Sequence, residues 1–299
     1  MQHRPFLGQV LAGRESRGVV TGVRNLLLGL RAEHVPTLTP VRTATFPAAV
    51  RSRDYVRVAG RDAEDFLQRM VSNDVTQAPC QALLLTPKAR VIAPLVVVRR
   101  DPEDFLLLTE PGLGEIVRET LRRARFAAKV EIESEEHASR VVFGDVEGIP
   151  NHDYGRVAVE LLDEEVEPTL RGDELEAMRI EAGTPRFGRE IDERVLPAEA
   201  GLVERAVSFT KGWYPGQEPI ARLHYRGHAN RALRVLEIEW EELPAYDQEL
   251  VYEGKQVGRI TSAARRPDGR IVALAYVRTA VPEDAELSLD SSRARALVR

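Results

Sequence analysis

Arg179-Ile180-Glu181-Ala182-Gly183-Thr184-Pro185-Arg186-Phe187-Gly188 and, further along, Lys211-Gly212-Trp213-Tyr214-Pro215-Gly216-Gln217-Glu218, running on to Arg222, are the two stretches around which the chain is organised. Glycine and proline recur in both and fix an unusual backbone path. Such paths are common where backbone must come close to a ligand. Residues 184–230 as a whole are rich in glycine, proline and charge and show little periodicity, which reads as a functional loop region or a linker. Phe187, Phe209, Trp213, Tyr214 and Tyr225 argue against a disordered linker. Between Lys211 and Arg234 stand five cations (Lys211, Arg222, Arg226, Arg231, Arg234) and one acid, Glu218, a local balance of +4 in a chain of formal charge −5. That balance suits an anionic ligand tail. Glu181 sits at the end of an expected helix, where a carboxylate opposes the macrodipole. Two explanations stand open: a heterocycle with paired N–H groups, or a salt bridge to one of the nearby arginines.

Upstream of these stretches the pattern mixes strands and helices. Residues 54–59 alternate as a strand. A helix follows, with Asp62 as N-cap, Asp65 three residues on, and Ala63, Phe66, Leu67, Met70 and Val71 at helical spacing. Apolar runs at 82–86, 91–98 and 105–109 read as strands, the first two joined by the turn Pro87-Lys88-Ala89-Arg90. A second helix is expected over 111–125, strands near 129–133, 140–143 and 156–161, and a third helix over 172–182 with Gly183 at its C-terminal cap. Downstream, from Leu233, the pattern is all β, with turns at Glu253-Gly254 and Pro267-Asp268-Gly269. The expected class is therefore α+β with antiparallel sheets and a small C-terminal β-barrel. The expected division is a disordered leader at 1–50, an α+β region of two interleaved lobes at 51–230, the barrel at 231–291 and a tail at 292–299. The leader holds eight arginines and two acids through residue 53; a targeting peptide is its alternative reading.

Composition narrows the function. One cysteine, Cys80, excludes an intrachain disulfide and any all-cysteine metal or cluster site, and fits the cytoplasm. No apolar run is long enough to span a membrane as a helix. The acidic balance argues against strong direct nucleic-acid binding. Gly112-Leu113-Gly114 begins like a dinucleotide fingerprint, but Val117 stands where its third glycine belongs. His224 and His228 have zinc-helix spacing without the accompanying glutamate, so no metal site is expected.

The two opening stretches, with Val207-Ser208-Phe209-Thr210 between them, closely resemble the folate-binding family of the glycine-cleavage T-protein, and within it the YgfZ-type branch. Gly60-x-Asp62-Ala63-x-x-Phe66-Leu67 with Asn73-Asp74-Val75, Gly258-Arg259-Ile260-Thr261-Ser262, and Ala273–Arg278 match in the expected places. The resemblance implies a three-lobed fold with a central tetrahydrofolate site. It implies that Glu181 faces the pterin and that Lys211, Trp213, Tyr214, Gly216, Gln217, Glu218 and Arg222 shape the folate's surroundings. It also implies client enzymes that carry iron–sulfur clusters or modify tRNA. Two departures stand out. Ala93 and Pro94 occupy the positions of the T-protein's catalytic acids, so aminomethyl transfer is expected to be disabled. Trp213 replaces the branch's cysteine and offers stacking area without a thiolate. A folate-dependent aminomethyl or one-carbon transferase is the first alternative. A ligand-free scaffold whose pocket Trp213 fills is the second.

Overall fold

A computed structural model describes residues 46–289 and 292–296. The described chain begins with β1 (Ala48–Val50), which pairs with β7 (Ser139–Phe143), Ala49 opposite Val141. Residues 46–50 thus belong to the fold and not to the expected leader; residues 1–45 lie outside the described residues. The first lobe is a sheet of β2 (Asp54–Ala59), β3 (Cys80–Leu85), β4 (Val91–Asp101), β5 (Asp104–Thr109) and β6 (Glu131–Glu135), in the order β3-β4-β5-β2-β6 and antiparallel throughout. Helices α1 (Ala63–Met70) and α2 (Gly114–Ala124) cover one face. Phe66, Leu67, Val117 and Leu121 pack there on Leu84, Ala93, Leu95 and Val97.

Local chemistry at the helix starts differs from the expected caps. Asp62 makes no cap hydrogen bond, so no box forms with Asp65; its carboxylate instead accepts from Lys129 N at 2.7 Å. Helix α2 starts at Gly114, later than expected, because the Asp54 carboxylate accepts from both Gly112 N and Gly114 N at 2.9 Å. A side chain on Gly114 would collide with Asp54. The Gly-x-Gly pair therefore closes a turn onto a carboxylate of its own chain.

The second lobe is a sheet in the order β1-β7-β9-β8, with β8 at Ile149–Pro150 and β9 at Ala158–Leu162. Helix α3 (Gly172–Glu181) follows, and Gly183 caps it at φ +67°. The connector to the barrel is less irregular than its composition indicates. It contains the short α4 (Val203–Ala206) and the ten-residue α5 (Gln217–Arg226). Pro219 lies in the first turn of α5, where a missing N–H is harmless, and Gly227 ends the helix.

The third lobe is a closed barrel in the order β10-β13-β12-β11-β14-β15. Its strands are β10 (Arg231–Glu239), β11 (Glu249–Tyr252), β12 (Lys255–Arg265), β13 (Ile271–Arg278), β14 (Glu286–Leu289) and β15 (Ser292–Ala296). The expected tail is thus corrected over 292–296, where the chain pairs with both β10 and β14 and closes the barrel; residues 297–299 lie outside the described residues. Strand β13 is buried on both faces. Ile271, Ala273, Ala275 and Val277 fill the barrel, while Val272 and Leu274 pack outward on Ala177 and Ile180 of α3. An uninterrupted apolar run is what such a strand requires.

Candidate functional site

A recess of about 520 Å³, open to solvent, lies between the first lobe, the second lobe and the 184–206 connector. Strand periodicity decides what the first lobe contributes. Gln81 and Leu83 on β3, and Pro94 and Val96 on β4, face the recess, whereas Ala93 is fully buried in the core beneath. Of the two positions that resemblance assigned to catalytic acids, one is sealed in a core. The other presents a pyrrolidine ring, and its carbonyl accepts from Thr109 Oγ1 at 2.8 Å.

The remaining walls are mostly charged. Arg53, in the link between β1 and β2, donates to Glu160 on β9 at 2.9 and 3.0 Å. Glu160 also accepts from Ser139 Oγ at 2.7 Å and Asn151 Nδ2 at 3.2 Å. Burial would raise the Glu160 carboxyl, but Arg53 outweighs it and holds the group below the usual carboxylate range. Arg51 reaches Asp153 at 3.3 Å and Glu110 at 3.7 Å. Arg179, on α3, pairs with Glu176 at 2.8 Å and with the fully buried Glu190 at 3.2 Å. Glu190 in turn accepts from Ser262 Oγ at 2.6 Å, and its carbonyl from Tyr276 Oη at 2.7 Å, so the connector is tied to the barrel.

Arg205, at the end of the connector, is different. It lines the recess, its Nη1 lies 3.5 Å from Thr184 Oγ1, and its buried Nε has no hydrogen-bond partner. Burial pulls its pKa down, with Asp153 opposing from a distance. Arg51 Nε is likewise buried without a partner.

The eight residues singled out by resemblance stand elsewhere; none lines the recess. Glu181 is held by Arg266 of the barrel, with Nε 2.5 Å from Oε1. Of the two explanations open for this carboxylate, the ion pair is the one present, with a partner distant in sequence. Lys211 donates to the carbonyls of Val71 at 2.8 Å and Asn73 at 2.7 Å. Burial lowers its pKa to about 8, against the opposing charges of Asp74 and Cys80. Cys80 is therefore near Lys211, but burial pushes its thiol up to about 11, and Lys211 offsets only part of this. Tyr214 is buried in the core beneath the β3–β4 hairpin. Gly216, at φ +85°, lies so close to the Thr86–Ala89 turn that a Cβ would come within 2.8 Å of Thr86 O. Gln217 opens α5, Glu218 and Arg222 are exposed on it, and Trp213 is 69% exposed. Lys211 and Gly216 hold the motif against the first lobe. The +4 charge seen over 211–234 does not gather at the recess.

Nothing in the spacing marks Arg51, Arg53, Gln81, Glu110, Asp153 or Arg205, because they come from five separate segments. Arg179, Thr184, Pro185 and Pro94 fell within stretches or positions already singled out.

No protein-family model matches this chain. It is similar, at 28% identity over 225 residues, to an uncharacterized protein of Haemophilus influenzae, covering 70% of this chain and 80% of that one. At 23% identity over 299 residues it is similar to the tRNA-modifying protein YgfZ of Enterobacter sp., covering 84% and 91%. The glycine cleavage system aminomethyltransferase T of Bartonella henselae superposes with a TM-score of 0.70 over 84% of each chain at 19% identity, which shows a common fold. Relatives named tRNA-modifying protein YgfZ and aminomethyltransferase, together with the T-protein as structural neighbour, support a YgfZ-type, T-protein-like family for this chain. The α+β class with antiparallel sheets, expected from the pattern of elements, is the fold of the glycine cleavage T-protein. Among the described residues, no helix is long and apolar enough to cross a membrane.

Proposed function

We propose that this protein binds tetrahydrofolate in the central recess and supports iron–sulfur enzymes or tRNA modification in the cytoplasm, without transferring aminomethyl groups. The observation that carries this reading is Pro94. It faces the recess where resemblance places an acid, while Ala93 is enclosed in the core. Neither residue can take a proton from an amine or orient it. The walls of the recess mix apolar surface with amide, hydroxyl and guanidinium groups, the kind of lining that fixes a small polar ligand. Two of its guanidinium N–H donors lack partners, and acceptor atoms of a bound ligand fit them. Gln81, Thr184, Arg51 and Arg205 are the residues that would hold it. Folate would supply one-carbon chemistry when bound; the chain's own part is to bind it and exclude water.

Trp213 does not support the scaffold alternative, because its indole is in solvent and plugs nothing. The test is anaerobic calorimetry with tetrahydrofolate. Micromolar binding is expected, lost in Gln81→Trp, which fills the recess, and kept in Glu181→Ala, whose side chain pairs with Arg266 instead. No methylamine-dependent turnover is expected. A folded wild type that binds no tetrahydrofolate overturns the reading.

A further inference from the structure

The charged walls of the recess are nearly self-compensating. Arg53 is matched by Glu160, Arg51 by Asp153 and Glu110, and Arg179 by Glu176 and Glu190. Among the described residues lining it, Arg205 is the guanidinium without an ion pair. Its Nε is buried and unpartnered, and its contact to Thr184 is a long one at 3.5 Å. A buried donor left unmade is costly, and more so on a charged group. Arg51 Nε is a second orphan donor on the same walls.

We infer that Arg205 receives the anionic group of the ligand, that this group is a carboxylate, and that the orphan Nε–H groups of Arg205 and Arg51 are its donors. The inference rests on the proposed folate reading, which it deepens. A carboxylate fits for two reasons. The edge of a guanidinium presents parallel N–H donors at the spacing of two carboxylate oxygens. Arg205, the one of the four arginines with no acid partner, also matches a monoanion. A phosphate group carries about −1.5 to −2 at neutral pH, and five acids already surround the four arginines. This assigns ligand charge recognition to a residue outside the Lys211–Arg222 motif, whose Arg222 is exposed on α5. In tetrahydrofolate the carboxylates belong to the glutamyl part and not to the pterin, so the two halves of the molecule separate the claims.

The experiment compares wild type, Arg205→Gln and Arg205→Lys, each checked for a native thermal transition. Three probes are titrated: tetrahydrofolate, 6-methyltetrahydropterin, which has no carboxylate, and 4-aminobenzoylglutamate, which has no pterin. Arg205→Gln is expected to weaken tetrahydrofolate and 4-aminobenzoylglutamate by about tenfold to a hundredfold. Arg205→Lys recovers part of that loss, and the pterin binds equally to all three proteins. If tetrahydrofolate binds wild type and Arg205→Gln alike, or if the pterin is weakened as much as the folate, this inference fails while the folate reading survives. If wild type ignores the pterin and tetrahydrofolate but binds 4-aminobenzoylglutamate through Arg205, the folate reading fails and the carboxylate receptor stands. Binding of no probe overturns both. Should Arg205→Gln not fold, Arg205→Lys and the Nε–H resonances of wild-type arginines decide. Movement of the Arg205 resonance on adding 4-aminobenzoylglutamate is expected; an unmoved resonance overturns the assignment.

Discussion

Trp213 and Glu160 mark opposite ends of what single residues can do here. The indole stands where the resemblance implies a cysteine, yet it projects into solvent. Trp213→Ala is expected to change unfolding free energy by no more than about 0.5 kcal/mol and to leave tetrahydrofolate affinity unaltered; a denaturant titration and calorimetry check both. Glu160 is the reverse. It is 2% exposed and accepts from Arg53, Ser139 and Asn151. Glu160→Gln leaves the Arg53 guanidinium buried beside a neutral amide, and a loss of about 3–5 kcal/mol is expected in urea unfolding. Nothing in the sequence around Glu160 distinguishes it from the other glutamates of the chain. Its importance comes from three partners on separate segments, which a linear reading does not bring together. Glu181 teaches the same in the other direction: its position at a helix end was visible, and its partner Arg266 was not.

Among the elements, those with strong periodicity were legible. Strands β2 to β5, helices α1 to α3 and the barrel strands through β14 fall close to where alternation and helical spacing put them. Helix α5 was not, since only Ile220 on it is buried and its glycine and proline neighbours read as loop. Strand β15 was missed because its sequence carries no long apolar run; its place is fixed by pairing with β10 and β14. The Lys211–Arg222 motif was legible as important, and its contacts reach the first lobe. Lys211 ties the connector to the end of α1, and Gly216 lets it touch the β3–β4 turn. Gly216→Ala puts a Cβ where φ is +85° and Thr86 O is 2.8 Å away. The expected cost is about 1–3 kcal/mol, read as a lower unfolding midpoint with faster amide exchange in the Thr86–Arg90 turn.

In the molecule as a whole, His137 joins the sheets of the first two lobes. Its ring lies 2.9 Å from Glu135 on β6 and 2.6 Å from Asp163 just past β9. Burial lowers its pKa, but Asp163 and Glu135 together raise it above the usual 6.5. A raised folded pKa means that the imidazolium's stabilisation is fully present below the unfolded value of about 6.5 and is lost as pH climbs through the folded one. Unfolding midpoints are therefore expected to fall over that window in wild type and to lose that part of the slope in His137→Gln, measured in urea from about pH 5.5 to about pH 8.5.

The outward face of β13 carries one more consequence. Val272 and Leu274 on the barrel wall are covered by Ala177 and Ile180 of the second lobe's helix, and Tyr276 is anchored on Glu190 of the connector. The barrel is thus no detachable cassette. A gene rearrangement that transplanted it alone would deliver a sticky wall to its new host, so barrel, α3 and connector must be inherited as one block.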